Sequence, residues 1–250
     1  MPGKVYAFAN QKGGVGKTTT AINLAACLAE AGERALVVDL DPQANATSGL
    51  GMRANGTSTY DLLDGAPLAE LVKPTRFHNL FLVPSRPELA GAAVELSRRA
   101  DGERYLADAL RHADGFDFVL LDCPPSLGPL TVNALGACDR VIVPVQTEYY
   151  ALEGLAQLMQ SINLIKARLN PSLAVAGVLL TMADSRTRLS AEVEAEVRRH
   201  FGDIVFDAVI PRSVRVAEAP SHGLPVTHYD RRSRGAEAYW KVAMELVERR

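Results

Sequence analysis

The sequence predicts one α/β domain: a mostly parallel, twisted sheet with helices on both faces. Three observations carry that prediction. Short apolar runs alternate with amphipathic stretches along all 250 residues, the order that builds strand–helix units. The runs are apolar at successive positions, as in strands covered on both faces. The first run leads through a glycine-rich loop directly into a helix, as a phosphate-binding strand–loop–helix unit does.

The elements follow in order. Val5 to Ala9 reads as a buried strand, and Ala21 to Ala31 as a helix ended by Gly32, glycine being the usual helix stop. Ala35 to Val38 is the next strand, stopping at Asp39. Arg53 to Thr75 is polar and contains glycine, with weak helical signals at Tyr60–Leu63 and Leu68–Val72; it is expected to be a surface excursion of the same domain. Leu80 to Val83 is a short strand before Pro84, and Phe118 to Leu121 another that stops at Asp122. Val141 to Val145 follows, where Pro144 hints at a strand end. Ala151 to Leu169 carries Leu155, Leu158, Ile162 and Ile165 at helical spacing. Val175 to Leu180 reads as strand, Leu189 to Phe201 as helix, Val205 to Ile210 as strand and Gly235 to Val247 as the last helix. No internal repeat, low-complexity segment or linker interrupts the series, so residues 1–250 are expected to form a single domain.

Composition excludes several classes. Hydrophobic residues at 48% and charged residues at 22% do not suit a disordered chain. Lys and Arg number 27 against 29 Asp and Glu, a net charge of -2, so any nucleic-acid contact has to come from a local patch. Cys27, Cys123 and Cys138 are odd in number and form no C-x-x-C pair, which fits a reducing cytosol and no disulfide framework. His78, His112, His200, His222 and His228 show no metal-ligand spacing. The N-terminus lacks an apolar signal region, and no run reaches the roughly 18 apolar residues of a membrane span. A cytoplasmic protein is expected.

The strongest motif is Lys12-Gly13-Gly14-Val15-Gly16-Lys17-Thr18-Thr19. It is a variant of the phosphate loop G-x-x-x-x-G-K-[ST], with Gln11 where the general pattern has its first glycine. Glycines let backbone N–H groups turn inward around phosphate oxygens, and the following helix adds its dipole. Lys17 would reach the β- and γ-phosphates, and the Thr18 hydroxyl would bind Mg²⁺. Open parallel sheets bind ligands at the carboxyl ends of their strands, and two such ends carry acids: Val38-Asp39-Leu40-Asp41 and Leu121-Asp122-Cys123. An apolar strand delivering one aspartate to Mg²⁺ is the Walker-B arrangement, which Asp122 matches. An aspartate after a strand also commonly caps the next helix; two beside a phosphate loop favour metal and water roles.

The loop, with Lys12 as its signature lysine, resembles that of the deviant Walker-A family of ATPases, K-G-G-x-G-K-[ST]. The resemblance continues through Asp41-Pro42-Gln43-Ala44-Asn45-Ala46-Thr47, Asp122-Cys123-Pro124-Pro125-Ser126-Leu127-Gly128, Glu148-Tyr149-Tyr150-Ala151-Leu152-Glu153-Gly154, Leu180-Thr181-Met182, Ile210-Pro211-Arg212-Ser213-Val214-Arg215 and Tyr229-Asp230-Arg231-Arg232. Together these look like the ParA/Soj group of partition ATPases. Ala44 departs from the glycine that relatives often carry, leaving that backbone less permissive. The phosphate loop begins so near Met1 that no helix-turn-helix domain is expected before it.

The resemblance implies a single P-loop domain using ATP and Mg²⁺. It implies that Asp41 orients or polarises the attacking water, that Asp39 lies near the metal shell with Thr18 and Asp122, and that Asp122 to Gly128 forms a second switch. Lys12 read alone is a solvated loop lysine; the resemblance implies that it crosses a dimer interface to the partner's nucleotide. The loop Pro211–Arg212 is implied to pass the adenine. An ATP-bound homodimer is implied to bind double-stranded DNA without sequence preference on a surface including Arg186 and Arg215. A ParB-type centromere-binding protein is implied to stimulate hydrolysis and release, with the protein at the nucleoid and not at a membrane. Composition supports this only locally: Ala208 to Gly235 holds five arginines, Arg212, Arg215, Arg231, Arg232 and Arg234, against two acids. Those arginines read equally as surface residues paired with neighbouring carboxylates.

Three other readings share the loop. A MinD-like membrane-switch ATPase needs a basic amphipathic tail. Here the last helix sets Tyr239, Trp240, Ala243, Leu246 and Val247 on one stripe, expected to pack on the core, and only Arg249 and Arg250 would meet lipid. An iron–sulfur carrier needs converging cysteines, whereas the three here are expected to be small buried hydrophobes. A small-molecule kinase would place phosphate on an acceptor rather than release it.

Overall fold

Tyr6 and Phe8 turn to one side of the first strand, Ala7 and Ala9 to the other, and all four are fully buried. A strand with no polar face needs cover on both sides. The computed structural model of the chain, which describes residues 3–53, 55–111, 113–149 and 151–249, supplies it. His112, Tyr150 and Arg250 lie outside the described residues.

The strands are β1 (Lys4–Phe8), β2 (Ala35–Asp39), β3 (Lys73–Pro74), β4 (Leu80–Val83), β5 (Phe118–Asp122), β6 (Arg140–Gln146) and β7 (Ala174–Thr181). They form one seven-stranded sheet in the order β3-β4-β2-β5-β1-β6-β7, parallel except for the β3–β4 pair. The helices are α1 (Lys17–Glu30), α2 (Asn45–Gly49), α3 (Thr59–Leu63), α4 (Leu68–Leu71), α5 (Leu89–Leu96), α6 (Tyr105–Leu110), α7 (Pro129–Ala137), α8 (Ala151–Arg168), α9 (Arg188–Phe201), α10 (Val214–Glu218), α11 (Val226–Tyr229) and α12 (Arg234–Glu248). α1 and α12 pack on the face carrying Tyr6, Phe8, Val37, Leu82 and Leu120. α3 to α9 pack on the face carrying Ala7, Val38, Leu121 and Val143. No described helix is long and apolar enough to cross a membrane.

Register positions the site. Phe8 and Asp39 both pair with Asp122, so β1, β2 and β5 end side by side and their following loops converge at one edge.

Four expectations need correction. Val205 to Ile210 is not a strand. It touches β7 through the Phe206 N–H to Val178 O and Ile210 N–H to Leu180 O bonds, both 2.9 Å. Between them, the amides of Asp207 and Ala208 turn to the Glu245 carboxylate on α12, at 2.9 and 3.2 Å, so a side chain takes the donors that a ladder would use. Pro144 does not end its strand, because pairing with β7 runs on to Gln146 and Thr181. On its other side β1 has already ended, after the Phe8–Ile142 pair, and no N–H is required there. Residues 53–75 are more than a surface excursion, since Leu62, Leu63, Leu68 and Leu71 enter the core. On α12, Val247 is 45% exposed and Trp240 half-buried, and Val242 joins Tyr239, Ala243 and Leu246 in the buried stripe.

Candidate active site

The chain leaving β1 is anchored to β6 before it turns. The Ala9 N–H donates to Ile142 O at 3.2 Å, and Asn10 Nδ2 to Pro144 O at 2.8 Å. Gly14 and Gly16 then take φ of 75° and 91°, a left-handed conformation that glycine adopts without a Cβ clash. Gly16 stands at the N-cap of α1, which has no side-chain cap and no acid in its first turn. Its leading N–H groups are therefore available to an anion. Gln11, in the place of the missing glycine, is exposed.

The two lysines of the loop part company. Lys17, the first residue of α1, is 6% exposed and its Nζ donates to Lys12 O at 3.3 Å. Burial lowers its pKa, against the opposing pull of Asp122 and Asp41. Lys12 points outward, its Nζ 2.7 Å from Glu148 Oε2 and its side chain half exposed.

Asp122 is fully buried and neither carboxylate oxygen has a hydrogen-bond partner. Burial pushes its pKa well up, and Asp39 adds to this, while Thr18 and Lys17 pull it down. Asp39 is also fully buried. Its Oδ2 accepts from the Thr47 N–H at 2.8 Å and the Thr47 hydroxyl at 2.7 Å, and its Oδ1 from the Asp41 N–H at 3.1 Å. Burial still raises its pKa to about 6, outweighing those donors. Asp41 is buried, and its Oδ1 accepts from the Gln43 N–H at 2.9 Å. Ala44, at φ 54°, holds the left-handed turn into α2, a conformation strained for any residue with a Cβ.

An orphaned carboxylate beside a threonine hydroxyl, and next to a second buried carboxylate, is short of a cation. Thr18, Asp122 and Asp39 therefore fit Mg²⁺. No described group of three or more His, Cys, Asp or Glu could hold a metal alone. The three cysteines are buried and unpaired, with thiols pushed up by burial, the opposite of what thiolate ligation needs.

The pH dependence follows. A carboxyl whose folded pKa is raised loses stabilisation as pH climbs from the unfolded value of about 3.9 through the folded one. His228, lowered by burial, works in the opposite sense, so the aspartates are isolated by comparison with a variant. Without nucleotide and Mg²⁺, Asp122→Asn should melt higher than wild type, with a gap that widens as pH rises above the unfolded carboxylate value of about 3.9. A gap that is absent or narrows with pH would show that the charge is already compensated.

Arg186 and Arg215 are exposed on adjoining segments. The Ala183–Pro211 bridge and the Arg212 N–H to Ala183 O bond of 2.9 Å join these segments. Both arginines are paired: Arg186 with Asp184 at 2.7 Å, Arg215 with Glu218 at 3.2 Å and Asp230 at 3.4 Å. Pro211 and Arg212 pair with Ala183, just past the end of β7; Thr181, the last residue of β7, touches the phosphate loop through a 2.8 Å bond to Val15 O. The sequence reading assigned no role to Asn10, Thr47, Glu148 or Thr181. Three of them sit inside quoted motifs, but their contacts are made across the fold.

Comparison with known proteins agrees with this geometry. Residues 3–175 match the family described as an AAA domain. The chromosome-partitioning ATPase Soj of Thermus thermophilus is 56% identical over 244 residues, covering 97% of this chain and 95% of that one. The chain belongs to the Soj/ParA family of chromosome-partitioning ATPases. The sporulation initiation inhibitor protein Soj of Bacillus subtilis is similar too, 52% identical over 249 residues and 98% of each chain. Among solved structures, the cobyrinic acid a,c-diamide synthase of Mycobacterium smegmatis with bound ADP and magnesium superposes with a TM-score of 0.86. It is 38% identical over 98% of this chain and 94% of that one. The Soj/ParA chain is thus an ATPase whose cofactors are ATP and Mg²⁺.

Proposed function

We propose that the chain moves DNA through a nucleotide-timed cycle. ATP joins two copies with the nucleotides sandwiched between them, the dimer holds double-stranded DNA without sequence preference, and a ParB-type protein stimulates hydrolysis and release. Within each copy, Lys17 faces the β- and γ-phosphates, and the backbone of Gly13, Gly14, Val15, Gly16, Lys17, Thr18 and Thr19 surrounds them. Mg²⁺ bound with ATP neutralises phosphate charge. Thr18 and Asp122 would hold it, with Asp39 behind them. Asp41, fixed by Gln43 through Oδ1, keeps Oδ2 to accept from the attacking water. Pro211 and Arg212 flank the adenine. Lys12 exchanges Glu148 for the nucleotide of the partner subunit. An exposed ion pair contributes only about 0–1 kcal/mol, so little opposes that exchange.

The reading rests most on where Arg186 and Arg215 stand: exposed, on segments joined by the Ala183–Pro211 bridge just past the end of β7, which touches the phosphate loop. Their carboxylate partners hold the guanidinium groups outward until phosphates compete for them. Two such weak faces on one rigid dimer make the second contact intramolecular, so ATP controls DNA binding without touching DNA.

Anisotropy with duplexes of unrelated sequence, titrated in salt, tests this. Binding should need a non-hydrolysable ATP analogue and vanish with ADP. Lys12→Ala should keep nucleotide binding but lose the dimer and the DNA. Arg186→Ala and Arg215→Ala should weaken all duplexes alike, each lost phosphate contact removing about 0.9 from the log–log salt slope. Wild-type affinity and slope in the double arginine variant would overturn the assigned face and move attention to Arg231, Arg232 and Arg234.

A further inference from the structure

The phosphate loop crosses the ends of two strands before it enters α1. It leaves β1, passes the end of β6, where Ala9 and Asn10 bond to Ile142 O and Pro144 O, and reaches β7. There the Thr181 hydroxyl donates to Val15 O at 2.8 Å, between residues that are 2% and 1% exposed. Asn10 also works inward, its Oδ1 accepting the Lys12 N–H at 3.0 Å. The loop is thus held by a side chain at each end, neither belonging to the sequence pattern that defines it. The missing N–H of Pro144 gains a reason: on that side the next partner is a side-chain amide, which needs only the carbonyl.

We propose that Thr181 is a positioning residue for nucleotide binding, and that its hydroxyl, with Asn10 at the opposite end, holds the loop in its binding shape before nucleotide arrives. Two features of Val15 single out this contact. Its carbonyl is buried, so without Thr181 it has no water to turn to. It also lies one residue before Gly16, where the left-handed turn aims the first N–H groups of α1. If the carbonyl rotates to find another partner, the peptide unit between Val15 and Gly16 rotates with it, and an N–H leaves the phosphate cradle. The Thr181 methyl packs near Gly16, 3.8 Å from where a Cβ on that residue would stand, so hydroxyl and methyl have separable tasks.

The proposal rests on residues 13–19 being the nucleotide loop, and the test keeps the two apart. The probe is Mg-ADP carrying a fluorescent ribose label, titrated into the full chain, with thermal melts of the nucleotide-free protein alongside. Thr181→Val keeps the shape and removes the hydroxyl. It should weaken Mg-ADP by about ten- to a hundredfold, the scale of one buried carbonyl losing its partner. In ATPase assays KM should rise while kcat at saturating ATP stays near wild type. Thr181→Ser should restore the affinity. Wild-type affinity in Thr181→Val, with only a lower melting temperature, would show a packing role and overturn the proposal. Equal weakening in Thr181→Ser and Thr181→Val would overturn it too, by assigning the effect to the methyl. Unchanged Mg-ADP binding in Lys17→Ala would instead reject the loop assignment itself.

Discussion

Replacing Lys17 with alanine should abolish tight Mg-ATP binding while the sheet stays folded. Lys17 is nearly buried and already carries a lowered pKa from burial, so its charge has forgone hydration and is poised for an anion. Removing one member of a buried charged pair costs about 3–5 kcal/mol, or about a hundred- to several-thousandfold in affinity. The fold should survive because the Lys17 side chain meets the loop and Asp122 rather than the core. Calorimetric titration with Mg-ATP reads the loss, and circular dichroism reads the fold. A folded variant that binds Mg-ATP as wild type does would remove Lys17 from the phosphates.

Asp41→Ala should separate binding from chemistry. Its backbone N–H keeps the bond to Asp39, so the strand end stays in place, and what is lost is the carboxylate proposed to orient the attacking water, together with its bond from the Gln43 N–H. Positioned proton acceptors contribute about a hundred- to ten-thousandfold to rate, and hydrolysis should fall on that scale with ATP affinity within a few-fold of wild type. Phosphate release in a single turnover, set beside equilibrium ATP binding, measures both. Failure to bind ATP would make Asp41 a structural residue, and unchanged release would take it out of the reaction.

Much of the fold is legible in the sequence, because continuous apolar runs such as Phe118–Leu121 and helical spacing such as Leu155, Leu158, Ile162 and Ile165 are local signals. The expectation for Val205 to Ile210 fails for a non-local reason, since no periodicity can announce that Glu245 on α12 takes the amides of Asp207 and Ala208. The short helices α2, α5, α6 and α7 escape notice for a different reason. They span one to three turns, and among them no side chain caps the first turn. The candidate site divides in the same way. Lys17, Thr18 and the strand-end aspartates stand at positions that motif spacing reveals. The Thr181 bond to Val15 joins residues 166 apart in the chain, and the pairing of Lys12 with Glu148 joins residues 136 apart. Ala44 lies between these cases. Its departure from glycine is visible in the sequence, and its left-handed φ of 54° shows that the turn is kept despite the strain.

The two borders of the sheet have a consequence for assembly. At one border β3 offers only Lys73 and Pro74, a charged residue and one without an N–H, neither of which invites another strand. At the other, β7 is sealed by the chain's own 205–212 segment, which bonds to Val178, Leu180 and Ala183. Among the described residues, both borders are thus blunted, which disfavours strand addition, the route by which exposed edges become fibrils. Side chains on loops and helix surfaces are then the natural material for association. Contacts of that kind can be made and unmade with each nucleotide, as a continuous backbone ladder could not.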